Sequence, residues 1–167
     1  TQLTEDNARN EVILSEIVEA YKLNRNIIML TDRREHCEYI KSCLNDRGIN
    51  EVGLYLGGMT EKELNSSNEQ KIILATYSMA AEGYDNPKLD TLIMATGRSN
   101  VEQSCGRVLR RKNANNPLII DIVDSEYLNN QYITRRKFYK KKNYVLNSSL
   151  KNSKARAEDD EEDECMF

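Results

Sequence analysis

Five short apolar runs, separated by segments of helical spacing, confine this chain to few folds. They fall at Asn26 to Leu30, Glu51 to Leu56, Lys71 to Thr76, Thr91 to Ala95 and Pro117 to Val123. Each is continuous rather than alternating, the pattern of strands buried on both faces. Between them, Asn7 to Leu23 repeats apolar residues at helical period, with Val12, Ile13, Ile17 and Tyr21 as the expected core stripe. Arg33 to Arg47 reads as a helix with Cys37, Ile40 and Leu44 inward and Gly48 at C′. A short helix is expected over Thr60 to Leu64, then a turn through Asn65-Ser66-Ser67-Asn68. Ser125 is expected to cap a last helix. Strand–helix alternation of this kind predicts an α/β fold, a mostly parallel sheet covered by helices on both faces. A length of 167 residues allows one sizeable core. One domain over 1–146 is expected, followed by a linker and a disordered acidic tail at 147–167.

One helix carries the most distinctive residues. Ser99-Asn100-Val101-Glu102 has the spacing of a capping box, so a helix is predicted from near Asn100. At 3.6 residues per turn Val101, Cys105 and Val108 share its apolar face, and Gln103, Arg107 and Arg110 the opposite one. Gly106 lies beside that polar face, where glycine costs a helix roughly 1 kcal/mol relative to alanine. Two readings are open. The face is a solvated surface with ordinary arginines, or two guanidiniums one turn apart, with an amide and bare backbone beside them, receive a phosphate.

The net charge of −3 hides a division. Seven consecutive acids, Glu158 to Glu164, outweigh it, so the remainder is net +4. Arg135-Arg136-Lys137-Phe138-Tyr139-Lys140-Lys141-Lys142 is the most basic stretch, either a solvated helix end or a nucleic-acid contact. Cys37, Cys43, Cys105 and Cys165 show no paired metal spacing, and His36 is the only histidine, so no zinc site is expected and a reducing, intracellular setting is. The apolar runs are too short to span a membrane, and no signal-peptide pattern opens the chain.

Gln103-Ser104-Cys105-Gly106-Arg107-Val108-Leu109-Arg110 matches the order Q-x-x-G-R-x-x-R and resembles motif VI of superfamily-2 helicases. Ala75 to Asp85 resembles motif V, with a strand-end Thr76, then Gly83 and Asp85. Ile27 to Arg33 resembles motif IV, and Leu56-Gly57-Gly58 the small motif after the next strand. Asp85 and Gln103 stand 18 residues apart with a strand between, as the family requires. Over residues 7 to 145 the chain looks like the second RecA-like domain of such a helicase. The stretches around Asp121 to Asp124 and Arg136 to Lys141 are similar to helicases of large cytoplasmic DNA viruses, some linked to transcription, which implies the host cytoplasm or the virion as location.

The resemblance implies roles. Arg110 would be an arginine finger for the γ-phosphate of ATP, Arg107 would hold that phosphate in the ground state, and Gln103 would orient it or the attacking water. Gly83 would give room to the nucleotide, and Asp85 would meet a ribose hydroxyl or the arginines; an Asx turn before Asn86-Pro87 is the other reading of Asp85. Thr76 and Ser78 would offer hydroxyls to a nucleic-acid phosphate, as would Thr31 and Arg33. Gly57 and Gly58 either approach nucleic acid or merely turn the chain. Many relatives have arginine where Glu82 stands and histidine where Gln103 stands; this departure favours DNA over RNA as partner.

No G-x-x-x-x-G-K-[ST] occurs, and Asp160-Glu161-Glu162-Asp163 lies in the acidic tail with no strand before it. ATP and Mg²⁺ are therefore expected to be held mainly by an N-terminal P-loop lobe absent from this chain, which alone should hydrolyse nothing. A non-motor nucleic-acid-binding or scaffold domain of the same fold is the alternative. A dinucleotide-binding enzyme is disfavoured because the G-x-G-x-x-G fingerprint is missing.

Overall fold

The computed structural model describes residues 6–109, 115–123 and 129–147. Among them the elements run α1 (Asn7–Lys22), β1 (Ile27–Thr31), α2 (Arg34–Asp46), β2 (Val52–Tyr55), α3 (Glu61–Asn68), β3 (Ile72–Thr76), α4 (Tyr77–Ala81), β4 (Thr91–Met94), α5 (Glu102–Leu109), β5 (Leu118–Asp121) and α6 (Asn129–Lys141). The strands form one sheet in the order β2-β3-β1-β4-β5, and every pairing is parallel. From β1 the chain runs to the edge strand β2, returns inward through β3, and then passes β1 to β4 and β5, so the order reverses beside β1.

The pleat explains why the strand sequences are continuously apolar. Ile27, Met29, Ile72, Leu74 and Ile93 join Ile13, Leu14 and Ile17 of α1 and Cys37, Ile40 and Leu44 of α2 in one core. The alternate residues Ile28, Leu30, Ile73, Ala75, Leu92 and Met94 are equally buried and face the other way. Each such aliphatic side chain contributes roughly 1.5–3 kcal/mol by leaving water. The result is a three-layer α/β/α domain.

The helix ends follow from local chemistry. Asp6 caps α1 by accepting from the Arg9 N–H at 3.1 Å. Gly48, at φ +81°, ends α2 in a Schellman arrangement, with Ile49 N–H on the Leu44 carbonyl and Gly48 N–H on that of Asn45.

The structure revises several expectations. The buried stripe of α1 is Ile13, Leu14, Ile17 and Ala20, whereas Val12 lies half exposed on the helix flank and Tyr21 turns its hydroxyl outward to Glu51. Helix α3 continues through Asn65 to Asn68, where a turn was expected. It starts on a reciprocal Thr60–Glu63 capping box, and Gly53 lets its far end sit flat on β2. A Cβ at Gly53 would stand 2.6 Å from the Ser67 carbonyl oxygen and 2.7 Å from its Cα. Helix α5 begins at Glu102, two residues later than predicted, so Val101 and not Ser99 immediately precedes it. Asn100 Oδ1 instead accepts from Glu102 N–H at 3.2 Å, and the carbonyl of buried Val101 receives Cys105 N–H. The one-turn α4 is too short to show a period. Ser125 lies outside the described residues.

Packing divides the chain into Thr1–Arg136 and Lys137–Phe167. Within the second unit the Tyr139 and Tyr144 rings stack with centroids 6.1 Å apart, and Phe138 meets both edge-on. Lys142 lies 5.9 Å from the Phe138 centroid. Among the described residues no helix is long and apolar enough to cross a membrane.

Candidate active site at the carboxyl edge of the sheet

In an open parallel sheet, ligands collect at the carboxyl ends of the strands, where the order reverses. Thr31 and Thr76 stand side by side there, the last paired residues of β1 and β3.

Their side chains have different fates. Thr31 is fully buried, with its hydroxyl 2.9 Å from His36 Nδ1. The other ring nitrogen of His36 lies 2.9 Å from Asn10 Oδ1. An amide oxygen only accepts, so Nε2 carries the proton and Nδ1 accepts from Thr31. Burial, and then the positive charge of Arg9, lower the His36 pKa to about 4, which keeps the imidazole neutral. The expectation that the Thr31 hydroxyl meets a phosphate therefore gives way to a buried structural bond. Thr76 is nearly buried, but its hydroxyl lies 3.2 Å from that of exposed Ser78, at the start of α4.

Arg33 is exposed at the N-cap of α2. Gly57 and Gly58 are exposed at the mouth of β2; Gly58 has φ +82°, and the Gly57 carbonyl accepts from Arg34 at 3.1 Å.

The loop after α4 carries Gly83 and Asp85. Gly83 adopts φ +83°, a left-handed conformation suited to glycine, with open space where a side chain would stand. Tyr84 turns inward and packs edge-on against Tyr55 at 4.6 Å. The Asx turn ahead of Pro87 belongs to Asn86, whose Oδ1 accepts from Lys88 N–H at 3.1 Å. Asp85 is exposed.

Helix α5 comes alongside. Exposed Gln103 donates from Nε2 to the Ala81 carbonyl at 3.3 Å, tying α5 to the end of α4, two residues before Gly83. Among the described residues a Cβ at Gly106 would meet nothing within 4 Å, so their packing gives no reason for glycine there. Cys105 faces the core, where burial raises its thiol pKa to about 12. The side chain of Arg107, and the whole of Arg110, lie outside the described residues.

Sequence reasoning missed a second group of side chains at the same edge. Asp32, just past β1, accepts through Oδ1 from Arg98 Nε at 3.0 Å and Nη2 at 2.6 Å. Thr96 donates its hydroxyl to Asp32 Oδ2 and accepts the Asp32 N–H, both at 3.1 Å. Tyr77, from α4, donates to the Thr96 carbonyl at 2.6 Å and lies under the Arg98 guanidinium, 4.6 Å from the ring centroid. Burial holds the Tyr77 phenol well above its usual range. Arg135, wholly buried, pairs with both Asp121 oxygens at 2.8 and 2.9 Å and donates to the Arg98 carbonyl at 3.1 Å. That pairing removes Arg135 from the basic stretch. Asp32 and Arg98 are 66 residues apart, so no local spacing announces them.

Gln103, Gly83 and Asp85 are exposed, and Gln103 reaches the end of α4 just before the Gly83 loop; no cluster of His, Cys, Asp or Glu among the described residues could hold a metal ion.

No protein-family model matches the chain. It is 34% identical over 143 residues to a protein of Acanthamoeba polyphaga mimivirus named "Putative ATP-dependent RNA helicase", covering 83% of this chain and 28% of that one. It is 32% identical over 168 residues to a "Putative helicase" of Invertebrate iridescent virus 6, covering 86% and 38%. An uncharacterized protein of Invertebrate iridescent virus 3 is 40% identical over 80 residues, covering 47% of this chain and 76% of the relative. The fold matches domain 2 of the DEAD-box helicase Mss116p bound to an RNA duplex, with TM-score 0.61, 15% identity and coverage of 90% and 63%. It also matches the helicase MrfA bound to DNA and AMPPNP, with TM-score 0.61, 22% identity and coverage of 78% and 20%.

Fold and motif order point to a class: the chain has a RecA-like α/β fold shared with helicase domains and resembles the superfamily-2 helicases. Within that class its kin are helicase-named proteins of large DNA viruses, and it spans 28% and 38% of the two such relatives above.

Proposed function

We propose that this domain is the second motor lobe of a longer ATP-dependent nucleic-acid helicase or translocase. The observation that carries the reading is the Gln103–Ala81 hydrogen bond. It ties the first turn of α5 to the end of α4, two residues before Gly83, which supports a joint role for the two distinctive motifs.

In this reading Arg110 stabilises negative charge growing on the transferred phosphoryl group, Arg107 holds the same phosphate beforehand, and Gln103 aligns it. Gly83 leaves the nucleotide room, and Asp85 meets its ribose or the two arginines. Bound ATP supplies the phosphoryl group, and Mg²⁺ with the phosphate cradle belongs to a P-loop lobe outside this chain. By itself the domain would bind ATP weakly and hydrolyse none. Thr76, Ser78, Arg33 and the Gly57–Gly58 turn would grip the nucleic-acid backbone, at positions that read phosphates rather than bases. DNA is the favoured strand, from Glu82 and Gln103; the solved neighbours include one bound to RNA and one to DNA.

The test is phosphate release by the full-length protein with ATP, alone and with single-stranded DNA or RNA. Stimulation by either strand supports the motor, and the better strand settles the partner. Tight strand binding without any hydrolysis would favour the non-motor scaffold.

A further inference from the structure

Arg98 precedes α5 and belongs to none of the motifs above. Its guanidinium is held on two sides, by the Asp32 carboxylate at 2.6–3.0 Å and by the Tyr77 ring. Its backbone is held as well, since buried Arg135 donates to its carbonyl. Two residues earlier, Thr96 is bound through its hydroxyl to Asp32 and through its carbonyl to Tyr77. The segment that launches α5 is thus pinned to the ends of β1 and β5 and to the first residue of α4. Those are the places from which Thr76, Ser78 and Arg33 would reach a nucleic-acid strand.

The Asp32–Arg98 pair is about half exposed, at 43% and 49% of the side chains. Such pairs add little to stability, since water screens them and long side chains lose freedom. Yet the geometry is specific: two nitrogens of the guanidinium on one carboxylate oxygen, with an aromatic face beneath. A bond that stabilises little and orients precisely placed groups is suited to alignment.

We infer that Arg98 is a positioning residue: clamped between Asp32 and Tyr77, it sets the angle at which α5 presents Gln103, and links that angle to the strand-gripping edge. The inference rests on the motor reading proposed above. Arg98 touches neither nucleotide nor strand in this account; it acts through α5.

The experiment uses the full-length protein and measures ATP hydrolysis across ATP concentrations, with and without saturating single-stranded nucleic acid. Arg98→Ala and Asp32→Asn should each lower the stimulated kcat about tenfold, in line with small misplacement of aligned groups. The KM for ATP should shift less than about twofold, because most nucleotide contacts lie on the other lobe. Melting temperature should move by no more than about 2 °C, as for a surface pair. A merely structural role would lower the melting temperature and reduce basal and stimulated rates in proportion. The double variant should be no worse than either single one, and Arg98→Lys, which keeps the charge without the planar fork, should recover part of the rate.

Full stimulated kcat in Arg98→Ala or Asp32→Asn would overturn the inference, as would losses that multiply in the double variant. If Arg98→Ala does not fold, the same readouts on Asp32→Asn decide. Absence of stimulated hydrolysis in the unaltered protein would instead remove the motor reading beneath it, a distinguishable failure.

Discussion

Lowering the pH from 7 to 5 should remove about 2 kcal/mol of folding stability through His36 alone. The ring is 2% exposed and bonded at both nitrogens, to Thr31 and Asn10, in a form that requires it neutral. Burial, reinforced by Arg9, lowers its pKa to about 4, against about 6.5 in an unfolded chain. A folded pKa below the unfolded one means that the unfolded chain takes up the proton first. The stability tied to the neutral ring is therefore complete above pH 6.5 and declines as pH falls toward 4. At pH 5 the gap of about 1.5 pH units below the unfolded value is worth about 2 kcal/mol, and near pH 4 the loss levels off at about 3 kcal/mol. Urea unfolding of the domain and of His36→Gln, at pH 7, 6 and 5, isolates the effect. The variant is less stable at pH 7 but should lack this part of the pH slope. Because His36 is the only histidine, its ring proton resonance is unambiguous. An equal slope in the variant, or a folded-state titration near pH 6.5, would refute the reasoning.

Other consequences follow from packing and charge. Gly53→Ala should destabilise the domain by about 1–3 kcal/mol in urea unfolding, because the new methyl group meets the backbone of Ser67, which cannot yield as a flexible side chain can. Arg135→Ala should cost about 3–5 kcal/mol by leaving the Asp121 carboxylate without its buried partner; a change below 1 kcal/mol by the same assay would show that water takes its place. Deleting Glu158 to Phe167 should tighten nucleic-acid binding at low salt and matter less at high salt, if the acids compete for the basic stretch. Fluorescence anisotropy with a labelled strand reads this directly, and unchanged affinity rules the competition out.

The sheet was legible because burial on both faces prints an uninterrupted apolar run. Ile27 to Leu30 and Ile72 to Ala75 have no polar face to disguise them. The end of α2 was legible because Gly48 supplies a left-handed residue at the required place. Register on α1 was less so: Val12 and Leu14 are equally apolar, and only contact with the sheet chooses Leu14. The extension of α3 through serine and asparagine depends on Gly53, more than ten residues away, whose missing side chain admits it. At the candidate site, Gly83, Asp85 and Gln103 were singled out by motif order, and the structure adds that Gln103 binds the Ala81 carbonyl. Thr31 carried the same strand-end signal as Thr76, but His36 lies beside one and Ser78 beside the other. Asp32, Thr96, Arg98 and Arg135 were not found, because their pairings join segments with no common period.

The central claim is that the polar face of α5 completes a nucleotide site built on another lobe. Its most direct test is nucleic-acid-stimulated ATP hydrolysis by the full-length protein carrying Arg110→Ala. Loss of a group that stabilises the transferred phosphoryl should lower kcat by ~10³–10⁵, with nucleic-acid binding in the absence of ATP unchanged. A stimulated rate close to that of the unaltered protein would contradict the account.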